Sequence, residues 1–130
     1  MALQVLIVDD EPELLRAIAV RLRAAGFACE PVPSGQHALA LLKRWQPDAI
    51  VVDLLMPDMD GYELCRRLKD DTRTAAIPIV VLTAVPAHAL DGRLQQLGVN
   101  RVMHKPFESS ELVEAVRTVM AKQAGGPSHG

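Results

Sequence analysis

The chain is 130 residues long, 49% hydrophobic and 23% charged, with a formal net charge of −2. That describes one globular domain rather than a disordered segment. The slight acidity argues against direct nucleic-acid binding by counterion release. Aromatics at 3% leave few stacking platforms, and no apolar run approaches the ~20 residues of a membrane span. Met1-Ala2-Leu3-Gln4 lacks the basic start of a secretory signal. Two isolated cysteines, Cys29 and Cys65, suit neither a disulfide framework nor a zinc site, so free thiols and a reducing, cytoplasmic compartment are expected.

In chain order, Leu3–Val8 is a short β-rich run that stops at Asp9-Asp10-Glu11. Pro12 opens a helix carrying Leu14, Leu15, Ile18 and Leu22, and Gly26 sits where a helix-ending glycine belongs. Phe27–Val32 reads as a second strand. Ser34 caps a helix through Leu39, Leu42 and Trp45, which Pro47 closes. Ala49–Val52 is a third strand, followed by a loop from Met56 to Gly61 and a helix bearing Tyr62, Leu64, Cys65 and Leu68. Ile77–Leu82 is the fourth strand, and Leu90, Leu94 and Leu97 mark the fourth helix, with Gly92 inside it at a cost of about 1 kcal/mol relative to Ala. Val99–Met103 and a helix with Leu112, Val113, Val116 and Met120 complete the pattern. The domain is expected over 1–122, and 123–130 as a disordered tail.

Five strand–helix units in series imply an α/β fold with a parallel sheet and helices on both faces. In such sheets ligands bind beyond the carboxyl ends of the strands. Asp9 and Asp10 end the first strand, Asp53 the third, Thr83 the fourth and Lys105 the fifth. Three carboxylates, a hydroxyl and an ammonium therefore converge on one rim. Hard oxygen ligands suit Mg²⁺ or Mn²⁺, and a carboxylate beside such a cation can attack phosphorus to give an aspartyl phosphate.

The segments Val8-Asp9-Asp10-Glu11-Pro12, Asp53 to Gly61, Leu82-Thr83-Ala84 and Lys105-Pro106-Phe107 resemble, over about residues 3–122, a response-regulator receiver domain of two-component signalling. The resemblance implies a doubly wound, flavodoxin-like (βα)5 fold with strand order 2-1-3-4-5. It implies Asp53 as phosphoacceptor, and Asp9, Asp10, Asp53 and the Leu55 backbone carbonyl as ligands of Mg²⁺ or Mn²⁺. It further implies Thr83 as a switch hydroxyl, Lys105 as the ammonium that pairs with the phosphoryl group, and a cis Lys105-Pro106 bond. The donor would be a histidine kinase or histidine phosphotransfer domain. Output would go to a downstream protein or a fused output domain, with a homodimer through the fourth helix, fifth strand and fifth helix as one possibility. Neither direct nucleic-acid contact nor a membrane is implied. The chain would be a stand-alone module or a piece of a larger regulator. It would not be a dedicated enzyme, though it would assist its own phosphorylation and slow autodephosphorylation.

Simpler roles compete at several positions. Asp10 with Glu13, and Asp60 with Glu63, both make D-x-x-E capping patterns. For Asp60 the cap is the preferred reading; for Asp10 it accounts for part of the role. Asp58 reads as a solvated turn residue. His104 should point to the face opposite Lys105 and take a surface role, and His37, His88 and His129 have no ligand-spaced partners. Departures from the family pattern are Val102, where most receivers carry Tyr or Phe, and the apolar Leu55 and Val85, two residues after Asp53 and Thr83. The alternative is a Mg-dependent aspartate-nucleophile phosphohydrolase. It would want a second Asp two residues after the nucleophile, where Leu55 stands. A flavodoxin-like FMN binder is disfavoured because Asp9-Asp10-Glu11 would repel the cofactor's phosphate.

Overall fold

The computed structural model describes residues 2–125, with side chains through Lys122. Five parallel strands form one sheet in the order β2-β1-β3-β4-β5: β1 Gln4–Val8, β2 Ala28–Val32, β3 Ala49–Asp53, β4 Ile79–Thr83 and β5 Arg101–His104. The helices between and after them are α1 Pro12–Ala24, α2 Gly35–Leu42, α3 Gly61–Asp70, α4 Arg93–Gln96 and α5 Ser109–Gly125. A 3₁₀ turn at Ala87–Ala89 precedes α4. The doubly wound order 2-1-3-4-5 is therefore as expected. Among the described residues, no helix is long and apolar enough to cross a membrane.

Side-chain alternation along the strands divides the core in two. Val5, Ile7, Val51, Val80 and Leu82 pack on one face with Ile18 and Leu22 of α1 and Leu112 and Val116 of α5. Leu6, Val8, Ile50, Val52, Ile79 and Val81 pack on the other with Ala38 and Leu42 of α2, Leu64 and Leu68 of α3, and Leu94 of α4. Both faces of the sheet are covered, which explains strands that are apolar on consecutive residues. Cys29 and Cys65 are free and buried, and burial pushes the Cys65 thiol up to about 12.

Local signals fix the helix ends. Pro12 takes the first position of α1, where its missing N–H costs nothing. Gly26, at φ +101°, ends α1 in a Schellman motif: Phe27 N–H reaches Leu22 O at 3.0 Å, and Gly26 N–H reaches Arg23 O at 3.0 Å. Ser34 caps α2 by accepting His37 N–H at 3.1 Å, and Asp60 caps α3 by accepting Glu63 N–H at 2.9 Å.

Several expectations need correction. Asp10 does not cap α1; Glu11 is the N-cap residue and makes no side-chain cap bond, and it is Asp9 Oδ1 that accepts Glu11 N–H, at 2.9 Å. Gly92 lies before α4 rather than inside it. It is the N-cap at φ +85°, a conformation glycine adopts without strain, so the mid-helix penalty does not apply. The second helix stops at Leu42, short of Trp45. β4 starts at Ile79 because Pro78 has no N–H for the ladder, and β5 starts at Arg101 because Val99 N–H closes the end of α4 on Leu94 O at 3.1 Å. α5 continues to Gly125, past the expected domain end at 122; the rest of the expected tail, 126–130, lies outside the described residues.

Candidate functional site

The carboxyl ends of β1, β3, β4 and β5 bring the expected side chains to one rim. Asp53 is the last residue of β3, on the sheet's central strand, and is 5% exposed. Asp9 follows β1 at 1% exposure, and Asp10 beside it is exposed. One carboxylate oxygen from each of Asp9, Asp10 and Asp53 lies within 4.8 Å of the others. Lys105, just after β5, donates from Nζ to Asp53 Oδ1 at 2.8 Å. Thr83 ends β4, is 1% exposed, and uses its Oγ1 to accept Val85 N–H at 2.9 Å. Leu55 lies two residues beyond Asp53 with its side chain turned to solvent. The Lys105-Pro106 peptide is cis.

Burial dominates the electrostatics. It pushes the Asp9 carboxyl up to about 6. Glu11 N–H, donating to it, pulls the other way, and the neighbouring Asp53 charge adds to the rise. Asp53 is likewise raised, first by burial, with Asp10 and Glu11 adding and the Lys105 bond and charge opposing. Burial by itself would depress Lys105, but its bond to Asp53 and the charges of Asp53, Asp9 and Glu11 outweigh it, so the ammonium is held above its ordinary value. Both partners of the ion pair are thus raised. One ammonium holds its proton firmly yet does not neutralise the carboxylates around it.

One atom sharpens this. Asp9 Oδ2 is fully buried and has no hydrogen-bond partner. A buried carboxylate oxygen left unpaired is costly and calls for a ligand. With three hard-oxygen carboxylates converging, the donor set fits a small divalent cation such as Mg²⁺.

Glu11, whose charge the sequence reading counted with Asp9 and Asp10, adds a further negative charge felt by Asp53 and Lys105. One contributor escaped that reading. Gly61 lies against the end of β3. A Cβ there would come within 2.8 Å of both Asp53 O and Leu54 Cα, and Gly61 N–H donates to Leu54 O at 2.7 Å. Only a glycine lets α3 begin so close to Asp53.

A sequence profile of the response regulator receiver domain matches residues 5–117. The phosphate regulon transcriptional regulatory protein PhoB of Pseudomonas aeruginosa is 38% identical over 126 residues, covering 95% of this chain and 54% of PhoB. The chain spans about half the length of the curated relatives it matches. Among solved structures, a response regulator described as putative from Chloroflexus aurantiacus is 35% identical with a TM-score of 0.88, over 93% of this chain and 99% of that one. The receiver domain of sensor histidine kinase PA1611 from Pseudomonas aeruginosa, which has a magnesium ion coordinated in its active-site cleft, is 28% identical with a TM-score of 0.82, over 93% and 99%. Fold, rim residues and family profile agree over nearly the same span, and the chain belongs to the response regulator receiver domain family.

Proposed function

We propose that this receiver domain takes a phosphoryl group on Asp53 from a phosphohistidine donor, a histidine kinase or histidine phosphotransfer domain, in a reaction that needs Mg²⁺. The observation that carries the reading is the unpaired, buried Asp9 Oδ2 in a three-carboxylate cluster whose central member is tied to Lys105. Asp9, Asp10, Asp53 and the Leu55 carbonyl would hold the cation. When bound, it neutralises oxygens of the transferred group as well as the carboxylates.

The chain's own residues supply the rest. Lys105 holds Asp53 Oδ1, which leaves Oδ2 as the attacking atom. A P–O bond forms at Oδ2 as the donor's P–N bond breaks, and the electron pair leaves with the imidazole nitrogen. Lys105 Nζ is 2.8 Å from Asp53 Oδ1, within reach of a phosphoryl oxygen on that carboxylate. Thr83, ending the neighbouring strand, turns its hydroxyl to donate to the same group. The new charge shifts the face built by α4, β5 and α5, through which a downstream protein, a fused output domain or a second copy would be engaged. The same reading places the protein in the cytoplasm.

A phosphohydrolase finds less support. Leu55 occupies the position of the required acid, and Asp60 is committed to capping α3. The decisive measurement is intact-protein mass after incubation with acetyl or carbamoyl phosphate. One phosphoryl group should appear on the wild type with Mg²⁺, none in chelator, and none on Asp53→Asn. Equal labelling of the variant would refute the assignment of Asp53.

A further inference from the structure

Val85, the second residue after β4, is gripped on both sides of its backbone. Its N–H donates to Thr83 Oγ1 at 2.9 Å, and its carbonyl lies 3.0 Å from His104 Nδ1. A carbonyl only accepts, so Nδ1 carries the proton and donates. Thr83 and His104 are direct register partners in the parallel β4–β5 pair, so their side chains leave the same face of the sheet. Lys105 N–H donates to Thr83 O at 2.8 Å and fixes the two strand ends against each other. Beside them lies a groove of about 550 Å³, lined by Tyr62, Leu90, Leu94, Val102 and His104.

We propose that His104 is a latch for the resting state, a positioning residue that acts on Thr83 through Val85. The inference rests on the reading of Thr83 as the hydroxyl that turns onto the phosphoryl group. To make that turn, Oγ1 must let go of Val85 N–H. While the His104 imidazole holds the Val85 carbonyl, that N–H is kept in place and the Thr83–Val85 bond is favoured. Turning the hydroxyl away while the imidazole still holds the carbonyl would strand that N–H without its partner, and releasing the imidazole lets the loop move and removes that cost. The small Val102 side chain leaves the groove open, which gives the freed loop and ring somewhere to go. Phosphorylation is thereby coupled to a side chain on β5 without an aromatic rotamer change.

The test uses the full chain, Mg²⁺ and beryllofluoride as the phosphoryl mimic, with affinity measured by calorimetry. His104→Ala should bind the mimic roughly 3-fold more tightly, the scale of one net hydrogen bond at an exposed position. His104→Asn keeps an N–H donor near the place of Nδ1 and should return affinity to the wild-type value. In a Thr83→Ala background, His104→Ala should have no effect, because the hydroxyl it restrains is gone. Unchanged or weaker binding by His104→Ala, or an equal gain without Thr83, overturns the latch. Nitrogen-15 NMR of the imidazole supplies a second readout: the resting wild type should show the Nδ1–H tautomer. If the wild type fails to bind the mimic, the phosphoacceptor reading falls, and the tautomer still decides the resting contact; an Nε2–H form overturns it.

Discussion

Asp9→Asn should make the cation-free protein more stable, although it removes a group central to the site. The folded protein raises the Asp9 carboxyl from 3.8 to about 6, chiefly because the side chain is buried. A rise of about two units at 1.36 kcal/mol each is about 3 kcal/mol held against the ionised form. The sign follows from the direction of the shift. Whatever the protonated carboxyl contributes is fully present below pH 3.8 and is lost as pH rises through about 6. At pH 8 the whole penalty is in force. Asparagine is neutral at every pH, and its carbonyl can keep the bond from Glu11 N–H that Asp9 Oδ1 now accepts at 2.9 Å. Its amide replaces the unpaired Oδ2 and can donate to the neighbouring carboxylates. Urea unfolding in chelator at pH 8, followed by fluorescence of the single tryptophan, Trp45, should show the variant more stable by about 2 kcal/mol. The gap should close towards pH 4. Saturating Mg²⁺ should stabilise the wild type and leave the variant far less affected. A variant less stable than the wild type at pH 8 in chelator, or a gap that is unchanged at pH 4, would refute the reasoning.

Three other outcomes are expected. The double variant Leu55→Asn/Val85→Glu should lose its phosphoryl group ~10-fold faster than the wild type after donor removal, because polar side chains there can orient the attacking water; equal decay rates would exclude that role. Gly61→Ala should lower unfolding free energy by roughly 2–3 kcal/mol, since its Cβ would meet backbone atoms of Asp53 and Leu54 that have no room to yield. Denaturation matching the wild type would show that the β3–α3 turn can move aside. Hydrogen exchange with and without beryllofluoride should change most over residues 84–97, which hold only a 3₁₀ turn and a four-residue helix; a change confined to β5 and α5 would contradict this.

The site was legible because strand ends are legible. Apolar runs that stop at Asp9, Asp53, Thr83 and Lys105 deliver those residues to one rim whatever the loops do. Caps written into side chains, Ser34 and Asp60, were legible for the same local reason. What escaped depends on backbone geometry that periodicity does not encode. The D-x-x-E pattern offers Asp10 as the cap of α1, and only the chain path shows that Glu11 is the N-cap residue and that its N–H goes to Asp9. Gly92 looks like a flaw in a helix until its positive φ makes it the start of one. His104 was assigned to the surface from strand alternation, and it is exposed; its partner is a carbonyl on another strand's loop, which no pattern in its own segment announces.

The sheet keeps its two apolar layers apart, like a septum between two chambers. On the α1/α5 side the walls are helices of 13 and 17 residues; on the other, the wall nearest β4 and β5 is a helix of four. A rearrangement behind Thr83 and Val102 therefore draws on the softer chamber and leaves the packing of the stiffer one intact. The protein carries a compliant wall on a rigid back plate. Substitutions in that wall can be made, residue by residue, without loosening the plate of α1 and α5 behind β3.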